Sequence, residues 1–89
     1  MIPLLLALAA APTFAAESSL LKNRPETALV DEVVELHPAD GHHFNVEAPQ
    51  KCGGERPYEV IPRRVRCQMK KAGRTPILVS VCDECGGAS

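Results

Sequence analysis

The clearest pattern in the chain is a two-residue alternation in its second half. In RRVRCQM, Val65, Cys67 and Met69 alternate with Arg64, Arg66 and Gln68. In PILVSVC, Ile77, Val79 and Val81 alternate with Leu78, Ser80 and Cys82. A period of two belongs to a strand with one face buried. The connection KKAGRTP contains Gly73 and Pro76, so an antiparallel hairpin is the simplest arrangement of the two strands. With the apolar faces aligned, Cys67 shares the inner face with Val79 and Val81, and Cys82 points to the other side.

Residues 26–37, ETALVDEVVELH, carry two patterns at once. Leu29, Val33 and Leu36 fit a helical stripe, and helix is the reading of this segment in isolation. Glu32 to Leu36, however, is rich in β-branched residues and ends at the turn signal HPADG. The next segment, HHFNVEAP, resumes an extended pattern after the Asp40-Gly41 turn dipeptide, which favours a strand. The expected class is mostly β, as a small antiparallel sheet or an incomplete sandwich whose edges are blunted by Pro62, Pro76 and the lysines.

The start of the chain follows a different rule. MIPLLLALAAAPTFAAESS has an apolar run from Ile2 to Ala11, then Pro12 and the small-x-small arrangement Thr13-Phe14-Ala15. This fits a signal peptide cleaved before Ala16. The run is too short to span a membrane, which takes about 20 apolar residues, so no stable membrane insertion is expected after cleavage. The expected organisation is a signal peptide at 1–15, a flexible leader at 16–25 ending at Pro25, and a small β-domain at 26–89. Export to a periplasmic or extracellular compartment places the four cysteines where thiols oxidise to disulfides. Among 89 residues there are two Phe, one Tyr and no Trp, so the core is thin and sulfur staples matter.

The net charge is −1, but residues 17–47 carry −5 and residues 51–74 carry +6. A basic block can attract nucleic acid or anionic lipid. The simpler reading sets strands of opposite sign side by side as a solvated face. With aromatics this scarce there is no base-stacking platform, so nucleic acid is not an expected partner.

Cys52, Cys67, Cys82 and Cys85 allow three pairings. The facing argument disfavours Cys67 with Cys82. It leaves Cys52 with Cys67 plus Cys82 with Cys85, or Cys52 with Cys82 plus Cys67 with Cys85. A redox Cys-x-x-Cys needs a helix N-terminus to stabilise its thiolate. After Cys85 only Gly86, Gly87, Ala88 and Ser89 follow, and Asp83 and Glu84 oppose a thiolate, so a structural disulfide is the expected role. The alternative cofactor is zinc. CDECGG is like one knuckle of a zinc ribbon, to be completed by Cys52, Cys67 or His42. Adjacent strand residues face opposite ways, so at most one of His42 and His43 can join such a cluster. No Ser, His and Asp arrangement suggests an enzyme, and the adjacent acids Asp31 and Glu32 read as a solvated face.

The stretch VVELHPADGHHFNVEAPQKC, followed by GRTPILVSVCDEC, resembles the N-terminal β-domain of bacterial periplasmic thiol:disulfide interchange proteins and small secreted relatives of it. The matching positions are Gly41, His42, His43, Phe44, Asn45, Ala48, Pro49, Val81, Cys82 and Asp83. The resemblance implies a truncated immunoglobulin-like sandwich, with strands at residues 32–46. It also implies an accessory role in thiol-disulfide systems, with another periplasmic protein as partner. Cys52 and Cys67 are extra to that pattern. No catalytic role transfers to His43 or Asn45, whose place in the pattern fits backbone bonding at a turn.

Overall fold

The computed structural model describes residues 9–14 and 20–83. No α-helix occurs among them, and so no helix long and apolar enough to cross a membrane. Nine strands follow in order: β1 (Ala9–Phe14), β2 (Ala28–Leu29), β3 (Val33–Leu36), β4 (His43–Phe44), β5 (Lys51–Cys52), β6 (Glu59–Ile61), β7 (Arg64–Gln68), β8 (Gly73–Leu78) and β9 (Val81–Cys82). They form a four-stranded sheet in the order β2-β1-β8-β5, a three-stranded sheet β3-β7-β6, and a small β4-β9 pair. All pairings are antiparallel except β1 with β8. The class expected from the alternation, mostly β with small antiparallel sheets, is the one found.

The alternation of β7 and β8 is real, but the two strands do not form a hairpin. β7 is the centre of the three-stranded sheet and β8 lies in the four-stranded one. The chain from Met69 to Ala72 crosses between sheets, and Gly73 supplies the left-handed turn at φ 92°. Alternation tells which face is buried, not which strand lies alongside. Two strands facing one another across a core therefore read like two strands sharing one sheet.

The tight hairpin is instead β6–β7, joined by Pro62 and Arg63, with Val60 opposite Val65. On the other side of β7, β3 pairs Val34 with Cys67 and Leu36 with Val65. The helical stripe of Leu29, Val33 and Leu36 is thereby overturned. Leu29 is 60 % exposed, and the inward row is Val34 and Leu36. Tertiary pairing with β7 outweighs local helical preference in so short a segment. Asp31, at φ 76°, reverses the chain between β2 and β3, and its amide donates to the Met69 carbonyl.

One apolar cluster lies between the sheets. Leu36, Phe44, Val65, Cys67, Met69 and Val79 are fully buried, and Ala10, Ala28, Cys52 and Ile77 join them from the four-stranded sheet. Each large side chain buried this way contributes about 1.5–3 kcal/mol relative to exposure. The Phe44 amide donates to the Pro62 carbonyl at 2.9 Å, tying β4 to the β6–β7 turn.

The leader is anchored where it is described. Leu21 bridges to Pro38 and is buried, and Asn23 bonds the Glu35 carbonyl and the His37 amide. The packed unit thus reaches back before residue 26, with Asn23 capping the open edge of β3. Residues 16–19 lie outside the described residues. Of the segment read as a signal peptide, Ala9–Phe14 is described, and it forms β1 in the four-stranded sheet.

Candidate functional site

The four-stranded and three-stranded sheets are joined covalently. Cys52 ends β5, opposite Ile77 of β8, and Cys67 lies in the inward row of β7. They form a disulfide with a Cα–Cα distance of 5.7 Å. β5 is held in place locally. The Cys52 amide donates to the Glu55 carbonyl at 2.7 Å and the Glu55 amide returns to the Cys52 carbonyl at 3.1 Å. The reversal runs through Gly53 and Gly54, both at positive φ. A Cβ on Gly53 would meet the Thr75 methyl at 3.1 Å, so glycine serves both the turn and the close approach to β8.

Burial decides what this bond can do. Cys67 is 0 % and Cys52 6 % exposed, so an external thiolate has almost no line of approach to either sulfur. Thiol exchange needs such an attack. A depression of about 120 Å³ touches the Cys52 side only, among Glu55, Lys70, Lys71 and Arg74. Lys70 is paired with Glu55 at 3.2 Å. Cys52 and Cys67 therefore offer no thiolates to a metal while their bond stands. Cys82, in β9 opposite His43, is also disulfide-bonded, and Cys85 lies outside the described residues. Of the two pairings left open by the sequence, the one containing Cys52–Cys67 is found.

The histidine motif does not gather into a cluster. His42 places its Nδ1 3.2 Å from the Asp40 carbonyl, while His43 enters β4 beside Phe44. Among the described residues no group of three His, Cys, Asp or Glu side chains is placed to hold a metal ion. The zinc set of Cys82, Cys85, Cys52, Cys67 and His42 thus has its described sulfurs committed elsewhere. The loop does line a groove of about 620 Å³ with Lys22, His37, Asp40, His42 and Arg63. Lys22 and Asp40 are paired across it at 3.5 Å, both largely exposed.

Asn45 is a structural residue. Its amide donates to the Ser80 carbonyl at 2.9 Å and its side-chain oxygen accepts from the Glu47 amide at 3.1 Å, closing an Asx turn. Gln50, which the sequence did not single out, completes the arrangement. It is buried, donates to the carbonyls of Asn45 (2.6 Å) and Ala48 (3.2 Å), and accepts from the Ser80 amide at 2.9 Å. A buried amide side chain satisfied on both ends fixes the 45–50 loop to the end of β8.

The outer face of the three-stranded sheet carries the charge segregation seen in the sequence. Arg66 of β7 stands in register with Glu35 on β3 and Glu59 on β6. Arg64 Nε lies 3.0 Å from Glu59 and 3.4 Å from Glu35, and Arg66 Nε 3.4 and 3.9 Å from the same two carboxylates. The hydrogen bond from Arg64, aided by the charges of Arg64 and Arg66, holds the Glu59 carboxyl below its ordinary value. The same bond raises Arg64. Opposite charges on neighbouring strands form a solvated face, as the simpler reading of the charge blocks expected.

Comparison with protein-family models, with curated proteins and with solved structures gives no match for this chain.

Proposed function

We propose that this chain is an exported, non-catalytic β-domain that works by binding another protein, as an accessory of extracytoplasmic thiol-disulfide systems. The observation that carries the reading is the Cys52–Cys67 bond, buried between two sheets where it staples and does not exchange. Such a bond is compatible with an oxidising compartment, which the Thr13-Phe14-Ala15 cleavage pattern independently suggests. The accessory role and the periplasmic or secreted location follow from that pattern and from the resemblance of the GHHFN and VCDEC segments.

Nucleic acid is not the partner in this reading. Four of the basic side chains, Lys22, Arg64, Arg66 and Lys70, each have a carboxylate within 4 Å. Binding to DNA or anionic vesicles is therefore weak and disappears at physiological salt.

An insulin-reduction assay tests the reading. The wild-type protein is expected to show no turnover, and C82S/C85S to behave identically. Turnover by the wild type that vanishes in C82S/C85S, with the unfolding temperature unchanged, would make the protein an oxidoreductase and end this reading.

A further inference from the structure

The crossover from β7 to β8 brings two free cations to one place. Lys71 and Arg74 stand on either side of Gly73, whose φ of 92° turns the chain between the sheets, and both line the depression of about 120 Å³ beside Cys52. Lys70 lines it too, but its charge is met by Glu55 at 3.2 Å, and Glu55 is the one acidic side chain on the lining. Neither Lys71 nor Arg74 forms an ion pair among the described residues. The depression is therefore left with two uncompensated positive charges and no uncompensated negative one.

A second observation points at the same place. Thr75 lines that depression and is only 6 % exposed. Its methyl lies against Gly53, and among the described residues its hydroxyl has no hydrogen-bond partner. A buried hydroxyl left unpaired is costly, and native proteins rarely keep one without a use. An acceptor seated in the depression would satisfy it.

We propose that this depression is an oxyanion site that takes a single phosphate group, free or as a terminal monoester. Two cations match the charge of about −1.5 to −2 that a phosphomonoester carries at neutral pH. Its oxygens accept from the Lys71 ammonium, the Arg74 guanidinium and the Thr75 hydroxyl together, and the bonds from the two cations are the strong, charge-assisted kind. A nucleic-acid phosphate carries a single charge and is esterified on both sides, so a polynucleotide is a poor occupant. The inference depends neither on export nor on the accessory role.

The full chain, isotope-labelled, is titrated separately with inorganic phosphate and with phenyl phosphate, followed by amide NMR shifts at constant, near-physiological ionic strength and at a pH above ~7, where the group is mostly a dianion. The expected result is saturable shifts confined to residues 53–55 and 70–75, with a dissociation constant of about 1 mM or below. Phenyl phosphate binding as well as inorganic phosphate assigns the source to a monoester on a larger molecule, and binding of inorganic phosphate alone assigns it to the free ion. Lys71→Gln and Arg74→Gln, both at exposed positions where folding is not at stake, should each bind at least ~5-fold more weakly. Lys22→Gln removes the same charge from another groove and should bind as wild type. Thr75→Val should also bind more weakly and yet melt no lower than wild type, since it deletes an unpaired buried hydroxyl. The proposal is overturned if neither phosphate saturates the shifts below ~20 mM, if Lys22→Gln loses as much affinity as Lys71→Gln, or if the Lys71 and Arg74 variants bind as wild type.

Discussion

Replacing both sulfurs of the inter-sheet bond, as C52A/C67A, removes the one covalent tie described between the two larger sheets. The cross-link closes a loop with a sequence separation of 15. In the chain-entropy account a loop of that size constrains the unfolded chain by about 3 kcal/mol. The described residues number about 70, and at roughly 0.05–0.15 kcal/mol per residue the whole domain is stable by only about 4–10 kcal/mol. The lost bond is therefore a third or more of the total. For a domain of this size each kcal/mol moves the melting temperature by about 4–8 °C, so a fall of about 12–24 °C is expected. Thermal and urea unfolding of wild type, reduced wild type and C52A/C67A separate the contributions. Reduced wild type loses the loop constraint, and the alanines lose the packing of two buried sulfurs besides. Because the effect acts on the unfolded chain, the urea m-value should rise slightly once the chain can expand. A melting temperature lowered by less than about 5 °C, with m unchanged, would refute the reasoning.

Three further outcomes follow from the same structure. Phe44 is fully buried, so Phe44→Ala should cost about 3–5 kcal/mol, whereas Leu29→Ala at an exposed site should stay within about 0.5 kcal/mol; equal costs by urea unfolding would place the core elsewhere. Glu59 is held below its ordinary value of 4.5 in the folded protein, so its contribution is complete above that value and is lost as pH falls through the folded one. Glu59→Gln should flatten the acid limb of the stability curve, and an acid limb identical to wild type between about pH 6 and pH 3 speaks against the Arg64 contact. C82S/C85S should lower stability by about 2 kcal/mol or less, since two intervening residues close a very short loop; a loss as large as that of C52A/C67A in the same melt contradicts a minor role.

The sequence made the inner faces legible and left their partners open. Val65, Cys67 and Met69 lie inward as their alternation indicates, because one strand's pattern reports its own burial. Which strand lies beside β7 depends on β3, whose VVEL is too short to distinguish helix from strand without the ladder it joins. The pairing of Cys52 needed the same long-range information, since nothing near Cys52 in the chain points at β7. The charge blocks were readable for Glu35, which comes from the acidic block and stands beside Arg66 of the basic one, whereas Glu59 lies within the basic block and meets Arg66 through the β6–β7 hairpin. Gln50 was hidden for a different reason. A glutamine in a Pro-containing loop reads as solvated, and its role arises only because Ser80, 30 positions away, returns to meet it.

The most direct test of the central claim is a non-reducing tryptic mass map of protein recovered from outside the cytoplasm, preceded by thiol labelling of the native protein. A buried structural staple predicts a cross-linked pair of peptides, one containing Cys52 and one containing Cys67, and no label on either cysteine until the protein is unfolded and reduced. Label on Cys52 or Cys67 in the native protein, or either residue cross-linked to Cys82 or Cys85, would contradict it.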